Sequence, residues 1–211
     1  MFTRDHGTAE VRLSGRLIVV EGVSRSGKST LIRALASEIG PALVTEWNSD
    51  DVIKPVTDSL KASRRLDPIS FSLIHLLDFQ QRYMAQILPA LKSGQTVICD
   101  RYLYTSIARD RCRGVHIGET LVHEYYQPDV CVYIEPDFEQ VAARFMSSAG
   151  KYGYYGLGQD IFPAGSDLIS FLRYQKQQHI HYIELAKQYG FLRWPGQSNH
   201  SIGDIVRRIP V

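Results

Sequence analysis

An apolar segment, a glycine-rich loop and an amphipathic helix follow one another near the start of the chain. Residues 16–21 read RLIVVE, a β-branched apolar run that predicts a buried parallel strand. The next eight residues, GVSRSGKS, fit the pattern G-x-x-x-x-G-K-S/T. Apolar residues then recur at helical spacing until Gly40-Pro41 ends the helix. A strand before this loop and a helix after it are the context that the pattern requires, so the chain is constrained to an α/β unit with a phosphate-binding loop.

The loop is expected to surround a polyphosphate with main-chain amides. Gly22 and Gly27 permit backbone angles that other residues resist, and the helix N-terminus adds its own amides. Lys28, at an exposed loop–helix junction, would reach the β- and γ-phosphates, while the Ser29 hydroxyl coordinates Mg²⁺. Arg25 would stabilise charge on the phosphoryl group in transfer. The residues predicted to hold the nucleotide are Gly22, Val23, Ser24, Arg25, Ser26, Gly27, Lys28, Ser29 and Thr30.

The rest of the chain continues the alternation of strands and helices. Further strands are predicted over 42–45, 96–99, 130–134 and 191–194, and helices begin at Asp67, Asp137 and Ser201. This alternation predicts an α/β fold with a five-stranded parallel sheet and helices on both faces. The buried stripe of the longest helix is predicted to contain Leu73, Leu76, Leu77, Met84, Ile87, Leu88 and Leu91, with Pro89 bending the last turn.

Length and composition fit a globular protein with one domain. The chain has 211 residues, of which 44% are hydrophobic and 22% charged, too apolar for a disordered protein. We expect a flexible tail over 1–14, a single domain over 15–211 and a mobile lid over 148–166. Tyr152, Tyr154 and Tyr155 of the lid stack on a base or pack the loop. The first ten residues lack the apolar core of a secretory signal and no apolar run is long enough to span a membrane, which predicts a cytoplasmic protein without a membrane partner.

A second polar pair follows the predicted strand over 96–99. Asp100 and Arg101 come at its carboxyl end, where parallel sheets bind their ligands. Asp100 would orient Mg²⁺ or accept a proton, and Arg101 would hold phosphoryl oxygens with two parallel hydrogen bonds.

These segments resemble the thymidylate kinase family of P-loop kinases. LIVVEGVSRSGKST, ILPALKSG, TVICDRYLYTSIA and PDVCVYIEPDFEQVAARF occur in the family's order and spacing and cover most of residues 16–146. The resemblance implies phosphoryl transfer that depends on ATP and Mg²⁺, a moving lid and a homodimer. In that family a loop arginine such as Arg25 belongs to the class whose lid lacks a catalytic arginine, and the lid here contains Lys151 but no arginine.

The long helix departs from the family pattern. By ungapped spacing from Asp100, the family's base-stacking Phe falls at Leu76 and its base-reading Arg at Gln80. A gap of one or two residues would instead make Arg82 the reading arginine. Without such a role, Asp78 and Arg82 are spaced as a surface pair on one face of a helix.

The residues after the second strand depart further. Trp47 fits the family's aromatic residue, but Asp50 replaces the arginine that grips the acceptor monophosphate, and Glu46 and Asp51 are its neighbours. Carboxylates repel a phosphate dianion at low dielectric, which favours an acceptor other than a 5′-monophosphate. Glu46 would then remove the proton from an acceptor hydroxyl, as the Glu at this strand end does in deoxynucleoside kinases. Alternatively, the acids begin a solvated helix with Asp50 or Asp51 as N-cap.

Several hypotheses follow for the acceptor. The leading one is an ATP-dependent kinase that phosphorylates a hydroxyl of a nucleoside-like or other small molecule. A genuine dTMP kinase is the first alternative. A kinase of a hydroxylated base in DNA is the second, because Arg109, Arg111 and Arg113 form a basic run and the lid is rich in tyrosine. Arg109-Asp110 also stands where the family has Tyr-Gln at the acceptor. The alternative outside enzymes is a nucleotide-binding regulator, which would not need the transfer arginines.

Overall fold

Five parallel strands form one sheet. The computed structural model describes residues 13–148, 152–195 and 201–209. The strands are β1 (Leu17–Glu21), β2 (Ala42–Glu46), β3 (Thr96–Asp100), β4 (Val130–Glu135) and β5 (Leu192–Pro195). Their order is β2-β3-β1-β4-β5, and each neighbouring pair is parallel. The predicted fold class is therefore confirmed.

Helices connect the strands. Those of the described chain are α1 (Lys28–Ile39), α2 (Ile53–Ala62), α3 (Pro68–Arg82), α4 (Leu88–Lys92), α5 (Leu103–Arg111), α6 (Ile117–Leu121), α7 (Phe138–Met146), α8 (Asp167–Tyr189) and α9 (Ile202–Val206). A π-helical turn, Tyr83–Ile87, joins α3 to α4, and a 3₁₀ turn, Val122–Glu124, follows α6.

The helix starts at the predicted caps are confirmed. The Asp67 carboxylate accepts a hydrogen bond of 2.7 Å from the Ser70 amide at the start of α3. Asp137 caps α7 in the same way. At α9, the Ser201 amide donates to the Asp204 carboxylate at 2.9 Å, which completes a capping box. These starts were predictable because a cap acts over three or four residues of local sequence.

Both faces of the sheet are covered. Leu17 and Val19 of β1 point into a core shared with α3, α5 and α8, whereas Ile18 and Val20 point into a core shared with α1 and α9. Side chains alternate between the faces of a strand, so a strand buried on both faces is apolar at every position. This arrangement places the loop after β1 at the carboxyl edge of the sheet, beside the end of β3.

The predicted buried stripe of the longest helix is partly wrong. Leu73 and Leu77 are 52% and 43% exposed, and Met84 is also exposed. The buried side of α3 instead contains Phe71, Ser72, His75, Leu76, Asp78, Phe79 and Arg82. The spacing of the leucines predicted the wrong buried side of α3, because polar side chains that have hydrogen-bond partners inside the protein occupy part of its buried side.

Parts of the predicted tail and lid lie outside the described residues. These are residues 1–12 of the tail and 149–151 of the lid, the latter including Lys151. Residues 152–166 consist of turns and bends. In the described ranges, none of the helices combines the length and the apolarity needed to cross a bilayer.

Candidate active site

The loop after β1 has the backbone shape that its glycines predict. Gly27 has a φ of 107°, a left-handed conformation that favours glycine. Gly22 has a φ of 156°, and a Cβ there would lie 2.8 Å from the Ser26 hydroxyl oxygen and 3.3 Å from the Ile134 carbonyl oxygen, so a side chain at this position would be strained. The loop leads directly into α1, whose first residue is Lys28.

Lys28 is buried, which corrects the expectation that it is exposed. Its side chain is 7% exposed, and Nζ donates a hydrogen bond of 3.0 Å to the Val23 carbonyl. Burial, followed by the positive charge of Arg101, lowers the pKa of Lys28 to about 7. A buried ammonium group next to another cation is stabilised when an anion binds beside it.

Three distant elements hold the loop. The Ser24 amide donates to Gln175 Oε1 of α8 at 2.8 Å. Arg144 of α7 donates to the Arg25 carbonyl at 2.8 Å, and Arg25 Nε donates to the Tyr152 hydroxyl at 2.8 Å. Arg25 has a φ of 66°, unusual for a residue with a side chain, and these bonds hold it there. These anchors were not predictable from local sequence, because each of them is more than a hundred residues away from the loop along the chain.

The end of β3 brings Asp100 and Arg101 to the loop. Asp100 Oδ1 is buried without a hydrogen-bond partner among the described residues. Arg101 is also buried, with a φ of 72°, and its guanidinium donates to the hydroxyls of Thr105 and Tyr182 at 3.3 Å each. The two side chains line the cleft above the loop, as the sequence predicts.

Glu21 is a buried acid at the site that sequence analysis missed. Its carboxylate accepts hydrogen bonds from the Tyr102 amide at 2.8 Å, the Thr105 hydroxyl at 2.7 Å and the Tyr182 hydroxyl at 3.0 Å. Burial raises the pKa of Glu21, while the neighbouring charge of Arg101 and these hydrogen bonds lower it. The signal in the sequence was an acid placed directly between an apolar strand and the first loop glycine.

These groups line one cleft of about 510 Å³. Its lining residues are Ser24, Arg25, Gly27, Lys28, Ser29, Thr30, Glu46, Trp47, Asp100, Arg101, Arg109, Arg144 and Tyr152. Cations thus predominate, with Glu46 and Asp100 as the acids. A neighbouring cavity of about 350 Å³ shares Gly27, Thr30 and Arg144, and extends over the apolar side chains of α1 and β4.

The family model for thymidylate kinase matches residues 20–154. A protein from Saccharolobus solfataricus described as a probable thymidylate kinase 2 is 36% identical over 181 residues, covering 83% of this chain and 85% of the relative. The chain belongs to the thymidylate kinase family. A probable thymidylate kinase from Pyrococcus abyssi is 25% identical over 86% of this chain and 87% of its own length. The thymidylate kinase of Arabidopsis thaliana is 34% identical over 69% of this chain and 56% of its own length.

Membership in the thymidylate kinase family fixes the class of reaction. The protein is a phosphotransferase, an ATP-dependent nucleotide kinase. The family uses ATP as its phosphoryl donor and binds a nucleotide as acceptor. The predicted family and enzyme class are therefore confirmed.

The acidic segment after β2 does not face the acceptor as a group. The Asp50 carboxylate accepts hydrogen bonds from the amides of Val52 and Ile53 at 3.0 and 2.8 Å, just before α2. Asp51 is exposed and does not line the cleft, whereas Glu46 does. Asp50 therefore acts at the start of a helix, as the alternative hypothesis expects. The prediction that three carboxylates face the acceptor is wrong.

The residues aligned with the family's base-binding positions lie elsewhere. Leu76 lies on the buried side of α3 and packs in the core. Gln80 Oε1 accepts a hydrogen bond of 2.5 Å from the Tyr125 hydroxyl. Arg82 is fully buried and donates to the Thr45 hydroxyl and the Arg101 carbonyl at 3.2 and 2.9 Å. None of these three side chains lines the cleft, so their assignment to acceptor binding is not supported.

Asp78 is buried like Arg82, so the two are not a surface pair. Asp78 Oδ1 accepts a hydrogen bond of 3.2 Å from the Asp50 amide. Burial raises the pKa of this carboxyl group, whereas that hydrogen bond lowers it. Asp78 therefore joins α3 to the segment before α2.

The arginines of the basic run separate in space. Arg109 lines the cleft, and its Nε is buried without a partner in the described part of the chain. Arg111 pairs at the surface with Glu119 and Glu184. Arg113 is buried and pairs with Asp160 at 2.7 Å. The run is therefore not a continuous basic surface, which removes one of the two observations that favoured a DNA acceptor.

Asp110 and Tyr155 have structural contacts instead of the predicted acceptor contacts. Asp110 is buried and accepts a hydrogen bond of 2.7 Å from the Ser72 hydroxyl, and burial raises its pKa to about 6. The Tyr155 hydroxyl donates to the Leu66 carbonyl at 2.9 Å and accepts from the Leu66 amide at 2.8 Å. Tyr155 therefore packs the loop, and Tyr152 is the lid tyrosine that reaches the cleft.

Proposed function

We propose that the protein transfers the γ-phosphoryl group of ATP to the 5′-phosphate of a nucleoside monophosphate, with dTMP as the substrate. The observation that carries this proposal is Arg109. Its guanidinium lines the cleft beside Arg101, and Nε has no partner in the described chain. Burial lowers the pKa of Arg109, and the charges of Arg101 and Arg113 lower it further. A phosphate dianion stabilises such a pair of cations with charge-assisted hydrogen bonds.

The position of Asp50 supports the same acceptor. Its carboxylate accepts from the amides of Val52 and Ile53, at the start of α2, and Asp50 does not line the cleft. Of the three acids of this segment, only Glu46 could therefore repel the phosphate of a monophosphate acceptor. Glu46 is exposed, so water and salt weaken that repulsion. The names of the relatives, thymidylate kinases, agree with a thymidylate acceptor.

The donor nucleotide would occupy the loop and the neighbouring cavity. The loop amides and Lys28 would bind the phosphates, and the neighbouring cavity of about 350 Å³, which has both polar and apolar lining residues, has room for the adenine base. The buried, unpartnered Asp100 Oδ1 and the exposed Ser29 hydroxyl line the same cleft and are the oxygen ligands that Mg²⁺ prefers. When bound there, the ion neutralises charge on the β- and γ-phosphates.

The chain's own residues supply position and positive charge. Lys28 and Arg25 would stabilise negative charge on the transferred group, and Arg101 with Arg109 would hold the acceptor phosphate in line with it. The attacking oxygen of a phosphate dianion carries no proton at neutral pH. No general base is then required, so Glu46 has no essential role with this acceptor, in contrast to a hydroxyl acceptor.

A test with labelled ATP would compare dTMP, thymidine, and duplex DNA that contains a hydroxymethylated pyrimidine. We expect dTMP to be phosphorylated at a kcat/KM of about 10⁴ M⁻¹s⁻¹ or above, the range of a working enzyme. We also expect Glu46→Gln to retain activity on dTMP, with the exposed Glu38→Gln as the matched control. Preferred turnover of thymidine that is lost in Glu46→Gln would establish the hydroxyl-acceptor hypothesis instead. ATP binding without any acceptor turnover would favour a regulator.

We also infer that two copies associate through α3. Ile69, Leu73 and Leu77 recur every four residues on its outer side and are 56%, 52% and 43% exposed. Val52 and Val56 near the start of α2 are exposed as well. Monomers rarely expose an apolar stripe of this regularity, which is typical of an interface between helices.

A further inference from the structure

Tyr152 contacts the arginine of the phosphate loop. We propose that Tyr152 is a positioning residue, which orients Arg25 for transfer of the phosphoryl group. This inference rests on the proposed function, since it assumes that Arg25 acts on the transferred group. The Tyr152 hydroxyl accepts the hydrogen bond from Arg25 Nε at 2.8 Å, and both side chains line the cleft of about 510 Å³.

The hydrogen bond to Tyr152 uses only Nε of Arg25, so the two terminal nitrogens of the guanidinium remain available to bind phosphoryl oxygens. The hydroxyl binds Nε, so Nη1 and Nη2 keep no hydrogen bond to any residue that the structure describes. These two nitrogens form the fork that binds phosphoryl oxygens. The guanidinium also lies over the Tyr152 ring, 5.4 Å from its centroid. Tyr152 thus restricts the rotation of a flexible side chain without occupying its phosphate-binding atoms.

Tyr152 is itself held by packing. Its ring stacks on Phe145 of α7, with centroids 5.5 Å apart, and contacts Phe171 of α8 at 5.0 Å. A phenylalanine at this position would keep both ring contacts and lose the hydroxyl alone. Tyr152→Phe therefore separates the hydrogen bond to Arg25 from the packing of the lid.

The main chain of Arg25 is positioned independently of its side chain. Arg144 donates to the Arg25 carbonyl at 2.8 Å, and Gln175 accepts from the neighbouring Ser24 amide. Loss of the tyrosine hydroxyl would therefore leave the loop amides in place. For this reason ATP binding should be maintained while the transition-state interaction weakens, which predicts an effect on kcat and not on KM.

The test is a double-mutant cycle with Tyr152→Phe, Arg25→Ala and the combined variant, measured with dTMP and Mg-ATP. We expect Arg25→Ala to lower kcat by about 10²-fold or more, and Tyr152→Phe by about tenfold, which corresponds to about 1.4 kcal/mol of transition-state stabilisation. KM for ATP and dTMP should change by less than about twofold. Because the tyrosine acts through the arginine, Tyr152→Phe should have no further effect when Arg25 is absent.

Tyr154→Phe is the matched control. Tyr154 belongs to the same lid, and its ring contacts Tyr155 and the guanidinium of Arg64, away from the phosphate loop. We expect this variant to have the kcat of the unmodified protein. An unchanged or higher kcat in Tyr152→Phe, or an equal loss in the Arg25→Ala background, would overturn the positioning role. If instead the unmodified protein fails to phosphorylate dTMP, or Arg25→Ala retains full kcat, the failure lies in the proposed function.

Discussion

The buried carboxylate of Glu21 accepts a hydrogen bond of 2.7 Å from the hydroxyl of Thr105. The bond joins the end of β1 to the first turn of α5. Thr105 and Tyr182 also accept hydrogen bonds from the Arg101 guanidinium at 3.3 Å each. The acid therefore holds, through two hydroxyls, the arginine that reaches into the cleft.

Glu21→Gln is expected to destabilise the fold and to slow transfer. An amide nitrogen would replace a carboxylate oxygen that accepts from buried hydroxyls, and a lost buried bond to a charged acceptor costs about 1.5–3 kcal/mol. Urea unfolding measures the loss of stability. A lower kcat with dTMP would indicate that Arg101 is no longer held in the position that transfer requires. Glu38→Gln, at an exposed position of α1, is the control. An unfolding midpoint equal to that of the unmodified protein would contradict this role of Glu21.

Lys28→Met is expected to abolish transfer and to stabilise the folded protein at pH 7. The pKa of Lys28 is lowered to about 7 from the ordinary 10.5, so between these values the unfolded chain binds a proton that the folded protein does not. The contribution of Lys28 to the unfolding free energy therefore rises as pH increases from about 7 to 10.5, and is most unfavourable at pH 7 and below.

The direction of this pH dependence is tested by the difference in unfolding free energy between Lys28→Met and the unmodified protein, measured at several pH values. The variant should be more stable at pH 7, and its advantage should shrink towards pH 10. Lys92→Met, at an exposed lysine of α4, is the control for the loss of a lysine at the surface. An advantage that grows with pH would be inconsistent with a lowered pKa of Lys28.

Asp50→Ala is expected to destabilise α2 by about 1 kcal/mol, because the first amides of the helix lose their acceptor. Asp50→Asn should retain most of that stability, since an amide oxygen also caps a helix. Neither change should alter kcat/KM for dTMP by more than about twofold. Urea unfolding and steady-state kinetics check these expectations. A large gain in dTMP use by Asp50→Asn would show that the carboxylate repels the acceptor phosphate.

Leu73→Glu combined with Leu77→Glu is expected to convert a dimer into a monomer. Two charges would lie in the apolar stripe of α3, where desolvating them on association is costly. Sedimentation velocity measures the change in mass. Ile180→Glu, at a position of α8 that is 50% exposed, is the control for a charge on another surface. A monomeric unmodified protein would refute the proposed interface.

The fold was predictable where local sequence determines it. Buried parallel strands are apolar at successive positions, and the phosphate loop has a fixed spacing of glycine and lysine. The buried side of α3 was not predictable in this way. His75, Asp78 and Arg82 occupy it because residues outside α3 provide partners for them, such as Thr45 and the ring of Trp47 for Arg82. Periodicity of hydrophobic residues does not record such partners.

The acceptor positions were misassigned for a related reason. Ungapped counting back from Asp100 assumes that the long helix contains no inserted residue, but the count passes through the π-helical turn Tyr83–Ile87. A π-helical turn has wider hydrogen-bond spacing than a regular α-helix, so spacing along the sequence does not fix which side of the helix a residue occupies. Leu76 packs in the core and Gln80 accepts a hydrogen bond from Tyr125, and neither side chain lines the cleft. The anchors of the phosphate loop escaped prediction because only the folded chain brings them to it.

The hydrogen bonds between Tyr155 and Leu66 join the segment beside the phosphate loop to the start of α3. The tyrosine hydroxyl engages both main-chain groups of Leu66, the residue immediately before the cap of α3, while Tyr152 of the same segment holds the phosphate loop. A shift of this segment on nucleotide binding would therefore also move the start of α3. Thermodynamic linkage would make any resulting coupling reciprocal, so that each of two ligands changes the affinity for the other by the same factor.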